Sequence, residues 1–216
     1  MYYLKFFIIT FILLLHACDP VSKEQKLPYL GRKEITPVKE NEVIRYDTTY
    51  HTINDFAFIN QDSNIVTNET FKDKIYIADF FFTTCPTICP IMKAQMLRVY
   101  EKFKQNENVK ILSHTIDPAY DTVGVLRDFA DKLGVSSKTW HFVTGNKEDI
   151  YDIGQSSYMV TSMEDEDEPG GYIHSGAFIL VDKDRRIRGL YDGTDVKEVD
   201  RLIKDIPRLL KEYEDN

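Results

Sequence analysis

Residues 74–93 read KIYIADFFFTTCPTICPIMK. From Ile75 to Phe82 the run is apolar and aromatic, interrupted only by Asp79, which suits a central strand buried on both faces. Cys85 and Cys89 follow. After them Ile91, Met92, Met96, Leu97, Val99, Tyr100 and Phe103 recur at three- and four-residue spacing, which predicts an amphipathic helix from about Pro90 to Lys104. Pro90 fits the first turn of that helix because no N–H is needed there.

Working outward, the same alternation repeats. Val109 to Ser113 reads as a strand, Val123 to Leu133 as a helix ended by Gly134, and Trp140 to Val143 as a short strand. Upstream, Phe56 to Ile59 and Asn64 to Thr67 flank Gln61-Asp62-Ser63 as a small hairpin. Downstream, Ala177 to Val181 and Arg186 to Tyr191 form a second hairpin across Asp182 to Arg185. A last helix starts after Asp195, with Glu198 placed for a capping box and Pro207 expected to kink or restart it. Strands alternating with helices predict an α/β layer fold, and the terminal hairpin makes its sheet mixed.

The chain has 216 residues, 43% hydrophobic and 29% charged, with a formal net charge of -8. That describes one globular domain with appended sequence. The acidic balance and the lack of a Lys/Arg cluster argue against nucleic acid as a partner. At the N-terminus, Phe6 to Leu15 is apolar and follows Lys5, as in an export signal. As a helix, Phe6 to Ala17 would rise only about 18 Å, short of the ~30 Å hydrocarbon core, so a span is disfavoured.

Leu15-His16-Ala17-Cys18 resembles the lipobox of bacterial lipoproteins, with His16 departing from the usual small residue. That resemblance implies a signal peptide over residues 1–17, lipidation of Cys18, and an exported protein tethered to a membrane and facing the periplasm. Acyl chains would anchor it without a span. Asp19 to about Val43 is polar, with Pro20, Pro28, Gly31 and Pro37, and reads as a flexible spacer, giving a linker of residues 18–45 and a domain of 46–216.

With Cys18 set aside for lipid, Cys85 and Cys89 remain as a pair. A spacing of four puts both on one face of a helix turn, so the sulfurs can converge on an ion or on each other. As a purely structural disulfide, the five-residue loop would contribute only about 2 kcal/mol in the chain-entropy model. Two soft thiolates select Cu(I) or zinc, and a third ligand would sharpen the choice. His114 and His141 sit at or beside expected strands, where structural roles are common, and His51 precedes the first hairpin. His174 differs, because it ends the loop Glu164 to Gly171 and immediately precedes the strand at Ala177. Met92 and Met96, at helical spacing, read as core fillers.

The aromatic strand with FTTCPTICPIM, then TIDPAYDT, then YIHSGAFILVDKDRRIRGLYDGT, resembles the SCO/SenC family, named for synthesis of cytochrome c oxidase, over roughly Tyr46 to Leu210. The resemblance implies a thioredoxin-like three-layer sandwich with a mixed central sheet and an added N-terminal β-hairpin. It implies copper, Cu(I) or Cu(II), held by Cys85, Cys89 and His174, with Asp117 supporting the site. It also implies delivery of that copper to the CuA-bearing subunit of cytochrome c oxidase, with an upstream copper donor or thiol reductant as a further partner. Val123 stands where the family often has proline, and the acidic run Glu164 to Glu168 is unusually charged. The competing reading is a thiol-disulfide oxidoreductase in which Cys85 attacks a partner disulfide and Cys89 resolves it. Three residues between the cysteines and a remote histidine favour metal over that chemistry.

Overall fold

The computed structural model describes residues 26–40, 43–160, 162–164, 172–174 and 176–214, with 162–164 and 172–174 described by their backbone. The expected signal peptide, Cys18 and the acidic residues 165–168 lie outside the described residues.

The strand from the opening stretch is β5, Ile75–Phe81, and all seven of its residues are buried. It pairs in parallel with β6, Val109–Thr115, which pairs in parallel with β7, Trp140–Thr144. On its other side β5 pairs antiparallel with β10, Ala177–Val181, and β10 with β11, Ile187–Asp192. The hairpin of β3, Ala57–Asn60, and β4, Ile65–Thr67, adds to β7. The result is one seven-stranded mixed sheet in the order β11-β10-β5-β6-β7-β3-β4.

Right-handed crossovers place the helices. Helix α1, Cys89–Phe103, links β5 to β6, and α2, Val123–Leu133, links β6 to β7. Both connections step in the same direction, so both helices cover one face. Phe129 of α2 accordingly packs on Phe81 and Phe142, with ring centroids 5.5 and 5.3 Å apart. The return from β7 to β10 steps back across the sheet and covers the opposite face through α3, Lys147–Asp152, and a π-helical turn, Ile153–Ser157. There Tyr158 meets Phe80. Helix α4, Val196–Glu212, packs beside α1. This is the expected thioredoxin-like sandwich, with Gly134 ending α2 at φ 68° in the left-handed region.

Three local expectations change. Residues 33–45, placed in the spacer, and 46–50, placed at the start of the domain, contribute to β1, Lys33–Glu40, and β2, Val43–Tyr50, a separate antiparallel hairpin. Ahead of it, residues 26–30 form a strap bound to the domain: Leu27 N–H donates to Glu212, Leu30 N–H to the Ile187 carbonyl, and the Arg188 guanidinium to the Leu27 and Pro28 carbonyls. At α4, Glu198 pairs with Arg201 rather than closing a capping box, and Asp195 caps by accepting from Lys197 N–H at 2.7 Å. Helix α4 also continues through Pro207 to Glu212, its buried residues Val199, Leu202, Ile206 and Leu209 holding one face to the sheet across the missing hydrogen bond.

The face opposite α1 buries two histidines as neutral rings. His114 stacks on Phe80 at 4.8 Å with Phe58 and Tyr158 edge-on or tilted around it, and burial drives its pKa down to about 3. His141 meets the Asn60 amide at 3.2 Å and is pushed down to about 4, again mainly by burial. A histidine whose folded pKa is depressed stabilises fully above its unfolded pKa near 6.5, and that contribution drains as pH falls toward the folded value. The double variant His114→Phe/His141→Gln therefore loses acid sensitivity relative to the parent. In denaturant titrations from pH 7 to 4, the parent's stability should fall relative to the variant's by roughly 1 to 3 kcal/mol per pH unit.

Candidate metal and thiol site

The loop of residues 82–88 leaves the C-terminal end of β5 and turns directly into α1. Cys85 N–H donates to the Phe82 carbonyl at 3.3 Å, and Ile91 and Met92 N–H both reach the Ile88 carbonyl at 3.0 Å. Cys89 is the first residue of the helix and Pro90 follows it in the first turn. Both cysteines are buried, at 8% and 6% exposure, and no disulfide joins them.

Their environments differ. Burial opposes ionisation of Cys85, but hydrogen bonds from the Cys89 and Thr87 side chains and backbone outweigh it and hold its pKa below the ordinary thiol value. The Thr87 hydroxyl lies 3.6 Å from Cys85 Sγ. Cys89 is driven well above the ordinary value, first by burial and further by Cys85 and Asp79. Cys85 is thus the thiol of the pair that ionises first, and Cys89 holds its proton more tightly.

Beneath Cys89 a cavity of about 20 Å³ is lined by Asp79, Met92, Ser113, Phe129 and Trp140. Asp79, the polar break in the strand, accepts from the Ser113 hydroxyl, which in turn accepts from Trp140 Nε1 at 2.8 Å. Desolvation raises the Asp79 pKa to about 7. Met92 and Met96 are buried in the core, at 2% and 0% exposure.

A second carboxylate fixes the loop. Asp121 is fully buried and accepts from Thr83 N–H at 3.1 Å, from the Thr83 hydroxyl and from the Thr115 hydroxyl. Asp117 makes its described side-chain and backbone bonds in the turn after β6. Its backbone N–H donates to Thr115 Oγ1 at 3.1 Å and its carboxylate accepts from Tyr120 N–H at 3.3 Å, so it shapes the turn after β6. A continuous relay, Asp117 to Thr115 to Asp121 to Thr83, runs from that turn to the residue two before Cys85. Asp79 could have been found as the lone charge in an apolar run. Asp121 could not, because its partners Thr83 and Thr115 lie on two other elements.

The backbone carries His174 to the same end of the sheet. Strands β8, Ser162–Glu164, and β9, Tyr172–His174, pair antiparallel with Ser162 opposite His174. Strand β10 begins three residues later and runs against β5 with Ile179 opposite Ala78, so its first residues lie at the cysteine end of β5. Ile88, beside Cys89, borders Gly176, where a Cβ would stand 3.8 Å from Ile88 Cδ1. The other described histidines are elsewhere: His114 and His141 on the opposite face, and His51 bound through Nε2 to the Ser157 carbonyl at 2.6 Å. Among the described residues no cluster of three His, Cys, Asp or Glu side chains is placed to hold a metal.

With this geometry in view, known proteins offer direct comparisons. The SCO1/SenC family pattern matches residues 45–211. The crystal structure of a SCO1/SenC family lipoprotein from Bacillus anthracis superposes with a TM-score of 0.67 at 30% identity, covering 74% of this chain and 95% of that one. BsSco, described as a member of the Sco family of cytochrome c oxidase assembly proteins with a disulfide switch, matches at TM-score 0.65 and 33% identity over 73% of this chain and 92% of its own. Arabidopsis thaliana ScoI, solved with copper bound, matches at TM-score 0.62 and 26% identity over 74% and 98%.

Proposed function

This chain belongs to the SCO1/SenC family, and from that premise we propose that it is a membrane-tethered copper metallochaperone serving the CuA centre of cytochrome c oxidase. Copper is its cargo, held by Cys85, Cys89 and His174. What supports the reading is that Cys85 and Cys89 follow the C-terminal end of β5, beside which β10 begins three residues after His174, with Ile88 against Gly176. A thiolate, a thiol that deprotonates on binding metal, and a neutral imidazole form a soft low-coordinate donor set for Cu(I) that also holds Cu(II). Asp117 supports the site through the relay that ends at Thr83. Cys18 carries the lipid that keeps the protein at the periplasmic face of a membrane; the B. anthracis relative is likewise described as a lipoprotein, and no helix among the described residues is long and apolar enough to cross a bilayer. The partners are the CuA-bearing subunit of the oxidase and an upstream copper donor or thiol reductant.

The asymmetry of the two thiols favours a second activity on the same sulfurs. The Cys85 thiolate attacks a partner disulfide and expels one partner thiolate, forming a mixed disulfide. Cys89, once deprotonated, attacks Cys85 Sγ and releases the second partner thiol. The partner gains two electrons and this chain ends as the Cys85–Cys89 disulfide.

Titration of the reduced chain with Cu(I) and Cu(II) tests the metal reading. His174→Ala is expected to weaken copper binding at least about ten-fold and to remove Cu(II)-thiolate absorption, while the Cys85–Cys89 redox couple stays measurable. Unchanged affinity and spectrum would discard the three-ligand site. Reduction of a disulfide substrate that survives His174→Ala and is lost in Cys85→Ser would promote the exchange reading instead.

A further inference from the structure

Hairpin β1–β2 stands apart from the seven-stranded sheet and takes no part in the site described above. Every residue from Lys33 to Glu40 and from Val43 to Thr49 is exposed, and only Tyr50 is half-buried. Opposed residues of an antiparallel pair share a face and the faces alternate along each strand. The register puts Lys33, Ile35, Pro37 and Lys39 on one face with Tyr50, Thr48, Tyr46 and Ile44. The other face carries Glu34, Thr36, Val38 and Glu40 with Thr49, Asp47, Arg45 and Val43. Arg45 pairs with Glu40 at 3.1 Å, as their shared face requires.

The two faces differ in kind. The first is apolar and aromatic, with Ile35, Ile44 and Tyr46 at 57, 59 and 70% exposure, and its only charges are two lysines. The second holds three acids and one arginine. In a chain of net charge -8, a lysine-bearing apolar face is set against the overall charge. A lone two-stranded hairpin is marginally stable in water, and a surface that covers one face supplies what is missing.

Resting on the reading of Cys18 as the lipid anchor, we propose that this hairpin docks on the membrane, its lysine-bearing apolar face lying in the headgroup region of an anionic bilayer. The position of the tether identifies the occupant. Tyr50, at the base of the apolar face, stacks at 4.3 Å on Tyr29 of the strap, and the strap is clamped at Leu27. The nine residues from Cys18 to Leu27 reach at most about 30 Å, so the lipid end enters beside this face and keeps the bilayer within its range. Tyrosine with an apolar body and polar tip, and lysine with a long stem, suit that interface, and anionic lipid complements the two ammonium groups.

The full chain with its own N-terminus, reconstituted in phosphatidylglycerol/phosphatidylcholine vesicles with acyl chains brominated near the headgroup, tests the docking. Tyr46→Trp puts an emitter on the apolar face and Thr49→Trp one on the polar face, while Trp140, 1% exposed, serves as an internal reference. Bromolipid is expected to quench Tyr46→Trp and leave Thr49→Trp and Trp140 bright, and Lys33→Glu/Lys39→Glu is expected to restore the Tyr46→Trp emission. A chain that floats with the vesicles but shows no quenching at Tyr46→Trp, or equal quenching on both faces, overturns docking alone. Cross-linking at position 46 to a second copy or to another protein, with the Tyr46→Trp emission left unquenched by bromolipid, also overturns it. A chain that does not float overturns the anchor reading and the docking with it.

Discussion

Replacing Arg188 with alanine is expected to cost about 3–5 kcal/mol, the range for removing one partner of a buried ion pair. Its side chain is 1% exposed. It donates to Asp182, 0% exposed, at 3.1 Å, and to Glu212, 11% exposed, at 2.6 Å. The same guanidinium holds the Leu27 and Pro28 carbonyls and lies 4.2 Å over the Tyr29 ring. The substitution would take the Glu212 carboxylate's ion partner away, leave Asp182 with Arg186 alone at 3.0 Å, and release both the strap and the last turn of α4. Urea unfolding should register the loss, with a fall in Tm on the order of 10 °C, and limited proteolysis should open residues 26–32. Arg188→Met should recover part of the stability, because its apolar stem refills the space while Asp182 keeps Arg186, yet leave the strap loose. If Arg188→Ala matched the parent in both measurements, the clamp would hold nothing.

The second large effect is expected at Asp121. Asp121→Ala removes the acceptor for one backbone N–H and two hydroxyls in a fully buried setting. Each abandoned donor costs about 1–3 kcal/mol, so the sum should be about 3 kcal/mol or more, with the loop of residues 82–88 loosened. Copper affinity should fall roughly ten-fold or further, as it does when the groups that orient metal ligands are lost, although Asp121 touches neither sulfur through any bond described. Asp121→Asn keeps one carbonyl acceptor and should lie between. Equilibrium unfolding and copper titration of the three proteins check both parts. A destabilised Asp121→Ala chain with parental copper affinity would confine this carboxylate to folding.

Where a segment packs on the sheet, its pattern was readable. Helix α2 and strand β10 occur at the residues that periodicity marks, because one face of α2 and both faces of β10 are core. Hairpin β1–β2 was not readable, since a sheet with no core behind it has no burial pattern, and Pro37 with interleaved charges resembles a linker. Pro207 misled in the other direction. A lost backbone bond was weighed alone, while four buried residues on α4 hold the helix in place. At the site, Cys85 and Cys89 announce themselves by spacing within one loop. His174 is distant in the chain; its place between an acidic, glycine-ended loop and a strand set it apart from the other histidines, and the family resemblance named it a ligand, before the register of β10 against β5 brought its backbone toward the cysteine end. Asp121 depends on partners in β5's exit loop and in β6, which no local window spans.

That antiparallel entry of β10 beside β5 also sets a timetable. The cysteine segment and the strand that brings His174 alongside it are almost a hundred positions apart, and the whole crossover through α1, β6, α2 and β7 lies between them. In the exported, copper-holding protein proposed above, a polypeptide still extended in the translocation pore has not yet brought the three proposed donors together. That full donor set would assemble only once the last third of the chain has arrived and folded on the far side.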